Sequence, residues 1–548
     1  MQIDSITRSV IVNNLQWATE EMNEYMARSA YSSNIKVRKD CSCALYDRYG
    51  NILAQGTFIP VHLGIMSQTL KELLKLYPEG TLHEGDAIIH NDPYMMGSHL
   101  FDVMIFRPVF YQNELIAFTG VLAHQVDIGG SPVLYIWNTI HEEGLRLPGI
   151  KIIRQGELQE DIVRIITSNV RTPYEVKGDL MAQLAASYRG EQRIIELAKK
   201  YGLEKIQAYF QAILDYSEQG MRHAIGNLPD GEMCFEDYLE SDGKNEVMIK
   251  LKAKVIIKGS DIFVDFNGTD APGEGGFNNP LSLTYSGVYY AVKAVLGSNV
   301  PTNAGAYRAV HIVPFESETI LNAQYPHAVA GCTSVATQRV ADIVIGALSG
   351  IVPEKACACD GHWCGITYGG VDPRNGRYFS YVETYGCGRG AKHNQDGASA
   401  HQTHMTNTAN APIEMIELEH PFMVEEYSLA NDSGGAGKFR GGLGIIRKMR
   451  CLTDTFVSVI AVRRRTNPYG LEGGNFGRND TAFGIFPDGS KHSLVSEKVP
   501  AGTLTVLQTS GGGGWGSAEE RDPEAIAKDI ENNYISEDTA RSAYHYST

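Results

Sequence analysis

The stretch NDPYMMGSHLFDVMIFRPVFYQNELIAFTGVLAH, residues 91–124, decides how this chain is read. Asn91 to Asp102 is a polar segment marked by Pro93 and Gly97, and it leads into the apolar run Val103 to Phe110. Gln112-Asn113 supplies turn residues, and a second apolar run, Leu115 to Ala123, ends on His124. Two such runs around a short Asn-containing turn predict a β-hairpin. Pairing would return His124 to the sheet end that holds His99 and Asp102. Two imidazoles and a carboxylate converging there suit a divalent transition metal with an open position, the arrangement a metal-assisted hydrolysis needs. A lone histidine at a strand end ordinarily serves only as a hydrogen-bonding group, and this spacing is not a standard short metal motif. On pattern alone the three residues are therefore candidates.

Outward from the hairpin, Ile11, Leu15, Ala18, Met22 and Met26 recur every three or four residues, which predicts an amphipathic helix with Asp4 or Ser5 as N-cap. Cys43–Tyr46 and Ile52–Ala54 flank a turn at residues 47–51 and read as a second hairpin. Helices are expected over Ile65–Tyr77, Leu180–Lys200 and Leu203–Arg222, and a strand over Asp86–His90. Asn227-Leu228-Pro229-Asp230-Gly231 breaks the pattern. Beyond it, Val247–Ile257 and Ile262–Phe266 alternate like strands, with helical stretches near Ser286–Leu296 and Val335–Ser349. The tail from Asp522 to Tyr544 regains helical character, opened well by Asp522-Pro523-Glu524. The fold class expected is mixed α+β: a helix-and-hairpin domain carrying the metal site over residues 1–226, glycine-rich sheet-containing structure over 227–520, and a helical tail over 521–548.

Length and charge narrow the function. A chain of 548 residues is too long for one core, so several domains are expected. Its 64 acidic against 48 basic side chains, a formal charge of −16, argue against nucleic acid or an anionic membrane as partner. No apolar run reaches the roughly 20 residues that span a bilayer, and the first residues do not read as a signal peptide. Nine cysteines, an odd number, make no disulfide framework in a chain this large and fit a reducing cytoplasm. Cys357, Cys359, His362 and Cys364 invite a zinc reading, but they are crowded together with no distant second pair, so buried thiols are expected. The runs Gly434–Gly437 and Gly511–Gly514 match neither a phosphate-binding loop nor a dinucleotide fingerprint; tight turns or close backbone approach are expected instead. Arg463-Arg464-Arg465 could grip a phosphate or a partner's carboxylates, and reads better as a solvated strand end.

Several ordered motifs carry a resemblance that runs nearly end to end. They include Ala30–Lys36, Asp40-Cys41-Ser42-Cys43-Ala44, Pro60-Val61-His62-Leu63-Gly64, Asn91-Asp92-Pro93-Tyr94, and His99-Leu100-x-Asp102. They continue with Ala123-His124, Asp127-x-Gly129-Gly130, Glu143-Gly144-Leu145-Arg146, Asn410–Glu414, Asp432–Gly437 and Gly511–Gly516. In these the chain resembles the hydantoinase B family: B-type subunits of ATP-dependent hydantoinases, 5-oxoprolinases and caprolactamase, related to acetone and acetophenone carboxylase subunits. Three departures stand out. Met96 occupies a position usually held by glycine, Gln125 one where a second histidine commonly follows, and Ser510 one often held by proline.

The resemblance implies that His99, Asp102 and His124 are metal ligands, with Asp40 the candidate for a fourth; zinc and manganese both fit such donors. It implies an A-type partner that binds ATP and magnesium and phosphorylates the amide oxygen, in a complex of two A-type and two B-type chains. This chain would then hydrolyse the activated lactam, hydantoin or 5-oxoproline, with Asp127 or Asp92 moving the proton. A carboxylase component acting on a ketone, and a non-catalytic scaffold, are the alternatives left open.

Overall fold

A computed structural model describes residues 3–56, 59–131, 136–297, 299–461 and 463–546. The chain forms two compact units: Met1–Glu232 with Gly243–Asn245 and Ala253–Ala341, and Met233–Asp242 with Glu246–Lys252 and Asp342–Thr548.

The first unit opens with helix α1 (Ser5–Ser29), started by the Asp4 carboxylate, which accepts the Thr7 amide at 2.7 Å. Its predicted stripe of Ile11, Leu15, Ala18, Met22 and Met26 is buried throughout. One helical turn, α2 (Ser33–Lys36), leads to the hairpin β1 (Cys41–Asp47) and β2 (Ile52–Gln55). Helix α3 (His62–Leu76) begins three residues before the expected Ile65 and so takes His62 into its first turn. Then come β3 (Ala87–His90), the long hairpin β4 (Asp102–Tyr111) and β5 (Glu114–His124), and the short strands β6 (Ile150–Arg154) and β7 (Glu157–Leu158). Gln112 and Asn113 turn that hairpin with both φ angles positive, +54° and +63°, which matches the right-handed twist of the flanking strands.

These strands form one seven-stranded sheet in the order β2-β1-β5-β4-β3-β6-β7, every neighbour antiparallel. Helices α4 (Glu160–Ser168), α5 (Pro173–Tyr201) and α6 (Leu203–Gly226) follow. α5 starts well before Leu180 because Pro173, with no N–H to lose, sits at its first turn. α1, α5 and α6 bury their apolar faces in a core with Cys41, Cys43, Leu45, Val121 and Ala123 of the sheet. Strand β8 (Gly231–Leu239) precedes β9 (Ile249–Lys258) and β10 (Asp261–Asp265), a hairpin extended by parallel strand β11 (Val310–Ile312) after helix α7 (Leu281–Leu296). Helix α8 is Ala336–Ser349. Gly64 lets α3 approach α7 closely: a Cβ there would lie 2.3 Å from the Ser286 nitrogen.

The second unit is antiparallel sheet. Strands β12 (Cys364–Val371), β13 (Tyr378–Tyr385), β14 (Phe422–Leu429), β15 (Ile445–Cys451), β16 (Thr455–Ile460), β17 (Thr481–Ile485), β18 (Lys491–Ser493), β19 (Ser496–Val499) and β20 (Leu504–Gln508) divide into two sheets, β13-β12-β16-β19 and β14-β15-β20-β17-β18. Tyr368 and Val457 from one, with Phe422, Met449 and Leu507 from the other, share a single core. The short helix α9 (Ile413–Glu419) precedes β14, and the tail forms α10 (Pro523–Glu531) and α11 (Glu537–Tyr544), closing a small core around Ala436 and Ile526.

The glycine runs are sites of close backbone approach. A Cβ on Gly512 would lie 2.2 Å from the Arg389 carbonyl oxygen, while the Gly512 amide donates to Gly442 and its carbonyl accepts from Gly435. No described helix is long and apolar enough to cross a membrane.

Candidate metal centre

Register assembles the site. Across β4 and β5, Asp102 pairs directly with His124, and the next rung of β5, Ala123, pairs with Cys41 of β1. Ahead of β4, Asp92 caps a 3₁₀ turn (Pro93–Met95) by accepting the Tyr94 amide. The turn ends on Met96 in the left-handed region, φ +61°. Glycine adopts that conformation freely and methionine does not, which is why glycine suits this position. His99 follows, oriented by the Phe101 amide, which lies 3.2 Å from its Nδ1.

The outcome is a carboxylate surrounded by imidazoles. His99 Nε2 is 3.5 Å from Asp102 Oδ2, and His124 Nδ1 is 3.2 Å from Oδ1. The ligand atoms of these three residues all lie within 4.8 Å of one another. Among the described residues no other group of three or more His, Cys, Asp or Glu side chains does so. A third imidazole, His62, sets Nε2 4.0 Å from Asp102 Oδ2 and bonds the Ser42 hydroxyl through Nδ1 at 2.7 Å. The Ser98 hydroxyl donates to Asp102 Oδ2.

Burial would raise the Asp102 carboxyl, but His99, His124 and His62 outweigh it and hold the group well below the usual carboxylate range. Burial pushes His99 down to about 4 and lowers His62 too. Burial also acts to lower His124, yet the Asp102 hydrogen bond and the Asp40 charge more than reverse it, leaving His124 raised. A fixed carboxylate beside imidazoles, two of which burial keeps from charging, is the donor chemistry a divalent transition metal requires.

The structure gives the other expected residues different surroundings. Asp40 accepts the His124 amide through its backbone carbonyl at 3.1 Å, and its half-buried side chain acts electrostatically on all three histidines. It stands outside the tight group of three. Asp127 accepts the Gly129 amide at 3.0 Å and the Arg171 guanidinium at 2.5 Å. Asp92 faces Arg146 at 3.6 Å in addition to its cap. Neither carboxylate hydrogen-bonds His99, Asp102 or His124. His62 went unassigned in the sequence, although the Pro60–Gly64 motif carries it. Its role depends on where α3 packs.

Burial bears on two readings from the second unit. Cys357, Cys359 and Cys364 are buried thiols. Arg463 is no solvated strand end: it is fully buried, with Nη2 2.9 Å from Asp342 and 3.1 Å from Asp237. The backbone amides of Arg464 and Arg465 both donate to the Glu240 carboxylate, drawing the run inward. Ser510 donates its amide to Asp480 at 2.7 Å, a bond proline could not make.

Fold and site together define a class. The Hydantoinase B/oxoprolinase family profile matches residues 4–518, and the chain belongs to that family. It is 33% identical to a protein of a Pseudomonas species (strain NS671) named as the putative B subunit of a D-/L-hydantoinase, over 99% of this chain and 95% of that one. It is 32% identical to the beta subunit of the caprolactamase of Pseudomonas jessenii, over 99% of this chain and 96% of that one. A 5-oxoprolinase of Dictyostelium discoideum is 30% identical over 94% of this chain, which spans 41% of that longer protein. The crystal structure of the ATP-dependent caprolactamase from Pseudomonas jessenii superposes with a TM-score of 0.92 at 31% identity, over 99% of this chain and 96% of that one. A nucleotide-free acetone carboxylase structure shares the fold, with a TM-score of 0.91 at 18% identity over 99% and 79%.

Proposed function

We propose that this chain is the metal-dependent B-type component of an ATP-dependent cyclic-amide hydrolase. In this reading a separate A-type partner, binding ATP and magnesium, phosphorylates the amide oxygen of a lactam, hydantoin or 5-oxoproline. The present chain then opens the activated ring, in an A2B2 complex of the cytoplasm. The observation that carries the proposal is the buried Asp102 carboxylate, whose side-chain partners among the described residues are three imidazoles and a serine hydroxyl, with no lysine or arginine. Support for the reaction class comes from relatives named as hydantoinase, caprolactamase and 5-oxoprolinase chains.

His99, Asp102 and His124 would hold zinc or manganese, with Asp40 as fourth ligand. The bound cation would supply Lewis acidity, bringing the ionisation of water near neutral pH and offsetting negative charge at the reacting carbon. The Ser98 hydroxyl, which donates to Asp102 Oδ2, and His62, 4.0 Å from the same oxygen, would help orient the carboxylate, as partners of ligands do in such sites. Of the flanking carboxylates we assign proton movement to Asp92, whose carboxyl burial holds above its usual range; Arg171 ties Asp127 more tightly.

The test uses the complex with its A-type partner. Ring opening of hydantoin, 5-oxoproline and caprolactam is measured with ATP, with and without bicarbonate, alongside metal content. The hydrolase reading requires ATP-dependent ring opening indifferent to bicarbonate and lost in His99→Ala and His124→Ala. Strict bicarbonate dependence would transfer the chain to the carboxylases. Full activity and metal content in both variants would end the proposal.

A further inference from the structure

Beside the imidazole cluster, two buried polar groups have no hydrogen-bond partner among the described residues. Glu143 has no exposed surface, and its Oε1 accepts the backbone amides of Val329 and Ala330, the latter at 2.8 Å. Its Oε2 has no hydrogen-bond partner. Trp137 is equally buried and packs on Ala328 and Ala330, while its indole Nε1 also lacks a partner. Both residues therefore lie against one short wall, residues 328–330. A buried donor and a buried acceptor left unpaired are unfavourable, and two residues on one wall that each offer one suit a ligand that satisfies both.

The wall adjoins the metal donors. Phe101 packs against the same Trp137/Ala328/Ala330 cluster and stacks on His124, ring centroids 5.4 Å apart and planes 8° apart; it also lies 5.6 Å from the His99 ring. Cys332, two residues beyond the wall, is fully buried, and after burial itself the charges of Glu143 and Asp102 are what raise its thiol. That one thiol senses both carboxylates places Glu143 and the His/Asp cluster in a common neighbourhood.

We infer that Trp137 and Glu143 grip the two heteroatoms of the O-activated cyclic amide and present its carbon to the His99/Asp102/His124 donors. This rests on the function proposed above and assigns the side chains that read its substrate. A phosphorylated amide carries an oxygen and a nitrogen on the same carbon, and both are acceptors once the ring nitrogen has lost its hydrogen. The indole N–H is donor-only and serves the oxygen. A carboxyl serves the nitrogen only while it holds its proton. Burial, opposed by the two backbone amides, pushes Glu143 up to about 8, so it keeps that proton at neutral pH. The remaining wall, Ala328 and Ala330, gives the ring's methylene edge an apolar seat. A donor pair of this kind favours the activated ring over the unactivated one, whose nitrogen offers a hydrogen instead of accepting one.

The experiment compares Trp137→Phe and Glu143→Gln with wild type in the complex with its A-type partner. The substrate is whichever of hydantoin, 5-oxoproline and caprolactam opens fastest, and His99→Ala runs in parallel. Trp137→Phe deletes the N–H while keeping an aromatic ring, and should raise KM for the substrate about 10-fold or more, with metal content, melting temperature and the KM for ATP unchanged. Glu143→Gln keeps a carbonyl for the wall and an NH2 donor for the nitrogen, and should retain kcat/KM within about 10-fold, whereas Glu143→Leu should lose at least about 100-fold. The inference is overturned if Trp137→Phe leaves KM and kcat at wild-type values, or if Glu143→Gln is as impaired as Glu143→Leu, while His99→Ala abolishes turnover. Turnover surviving in His99→Ala strikes the proposed function itself, a separable result.

Discussion

Each unit of this protein buries a cluster of aspartate and histidine, and the two balance their charge in opposite ways. In the first, Asp102 meets His62, His99 and His124, and burial keeps His62 and His99 from charging. In the second, Arg463 Nη2 sits 2.9 Å from Asp342, 3.1 Å from Asp237 and 3.0 Å from the Cys359 sulfur, and His404 bridges Asp342 at 2.9 Å and Asp360 at 3.4 Å. Burial opposes charge on His404, yet Asp360 and Asp342 outweigh it and raise the imidazole. The second cluster thus carries a permanent cation of its own and acts as a structural clasp. Among the described residues the first sets no guanidinium or ammonium against Asp102, and that deficit supports the functional reading proposed for it.

The comparison breaks most visibly on substitution. His99→Ala or His124→Ala should cost at least about a thousandfold in ring-opening rate and most of the bound metal, read by turnover and elemental analysis, with little change in the unfolding of the metal-free protein. Arg463→Met should do the reverse: a loss of about 3–5 kcal/mol in unfolding free energy by denaturant titration, since it removes the guanidinium that Asp342 and Asp237 share, and added metal should not restore it. Chelation should then lower the melting temperature, and zinc or manganese at about 100 times its dissociation constant should return roughly 2.7 kcal/mol.

Acidification separates the clusters by sign. His99 has a folded pKa below its unfolded value, so in metal-free protein it subtracts stability progressively as pH falls from about 6.5 towards 4. His404 has a folded pKa above its unfolded value; its contribution is complete below about 6.5 and fades as pH rises through the folded pKa. In unfolding titrations across that range, His404→Gln should therefore be most destabilising at low pH, and His99→Gln should relieve acid sensitivity. The smallest effect expected is at Met96, where Met96→Gly removes the left-handed strain and should stabilise by about 0.5–1 kcal/mol in the same titration.

What could be read in the sequence was what local pattern determines. The β4/β5 hairpin follows from two apolar runs around Gln112-Asn113, so two imidazoles and a carboxylate could be placed at one sheet end before any coordinates. α1 follows from its stripe. His62 could not be placed, because its approach depends on α3 lying close to α7 at Gly64 and Ser286, residues far apart in the chain. The second cluster was illegible for the same reason: Asp237, Asp342, Cys359, His404 and Arg463 come from five separate segments. Arg463 within a run of three arginines looks like surface, and only the aspartates that fold over it reverse that impression. The glycine runs were readable as close approach but not as to what approaches; Arg389, Gly442 and Gly512 meet through backbone atoms that leave no trace in side-chain pattern.

The rung that joins Asp102 to His124 has one more consequence. A slip of one residue in that hairpin would turn His124 to the opposite face of the sheet. Under the proposed function, cation capture would check assembly as well as serve chemistry: only correctly zipped molecules would load, and loading would pin the zipper shut.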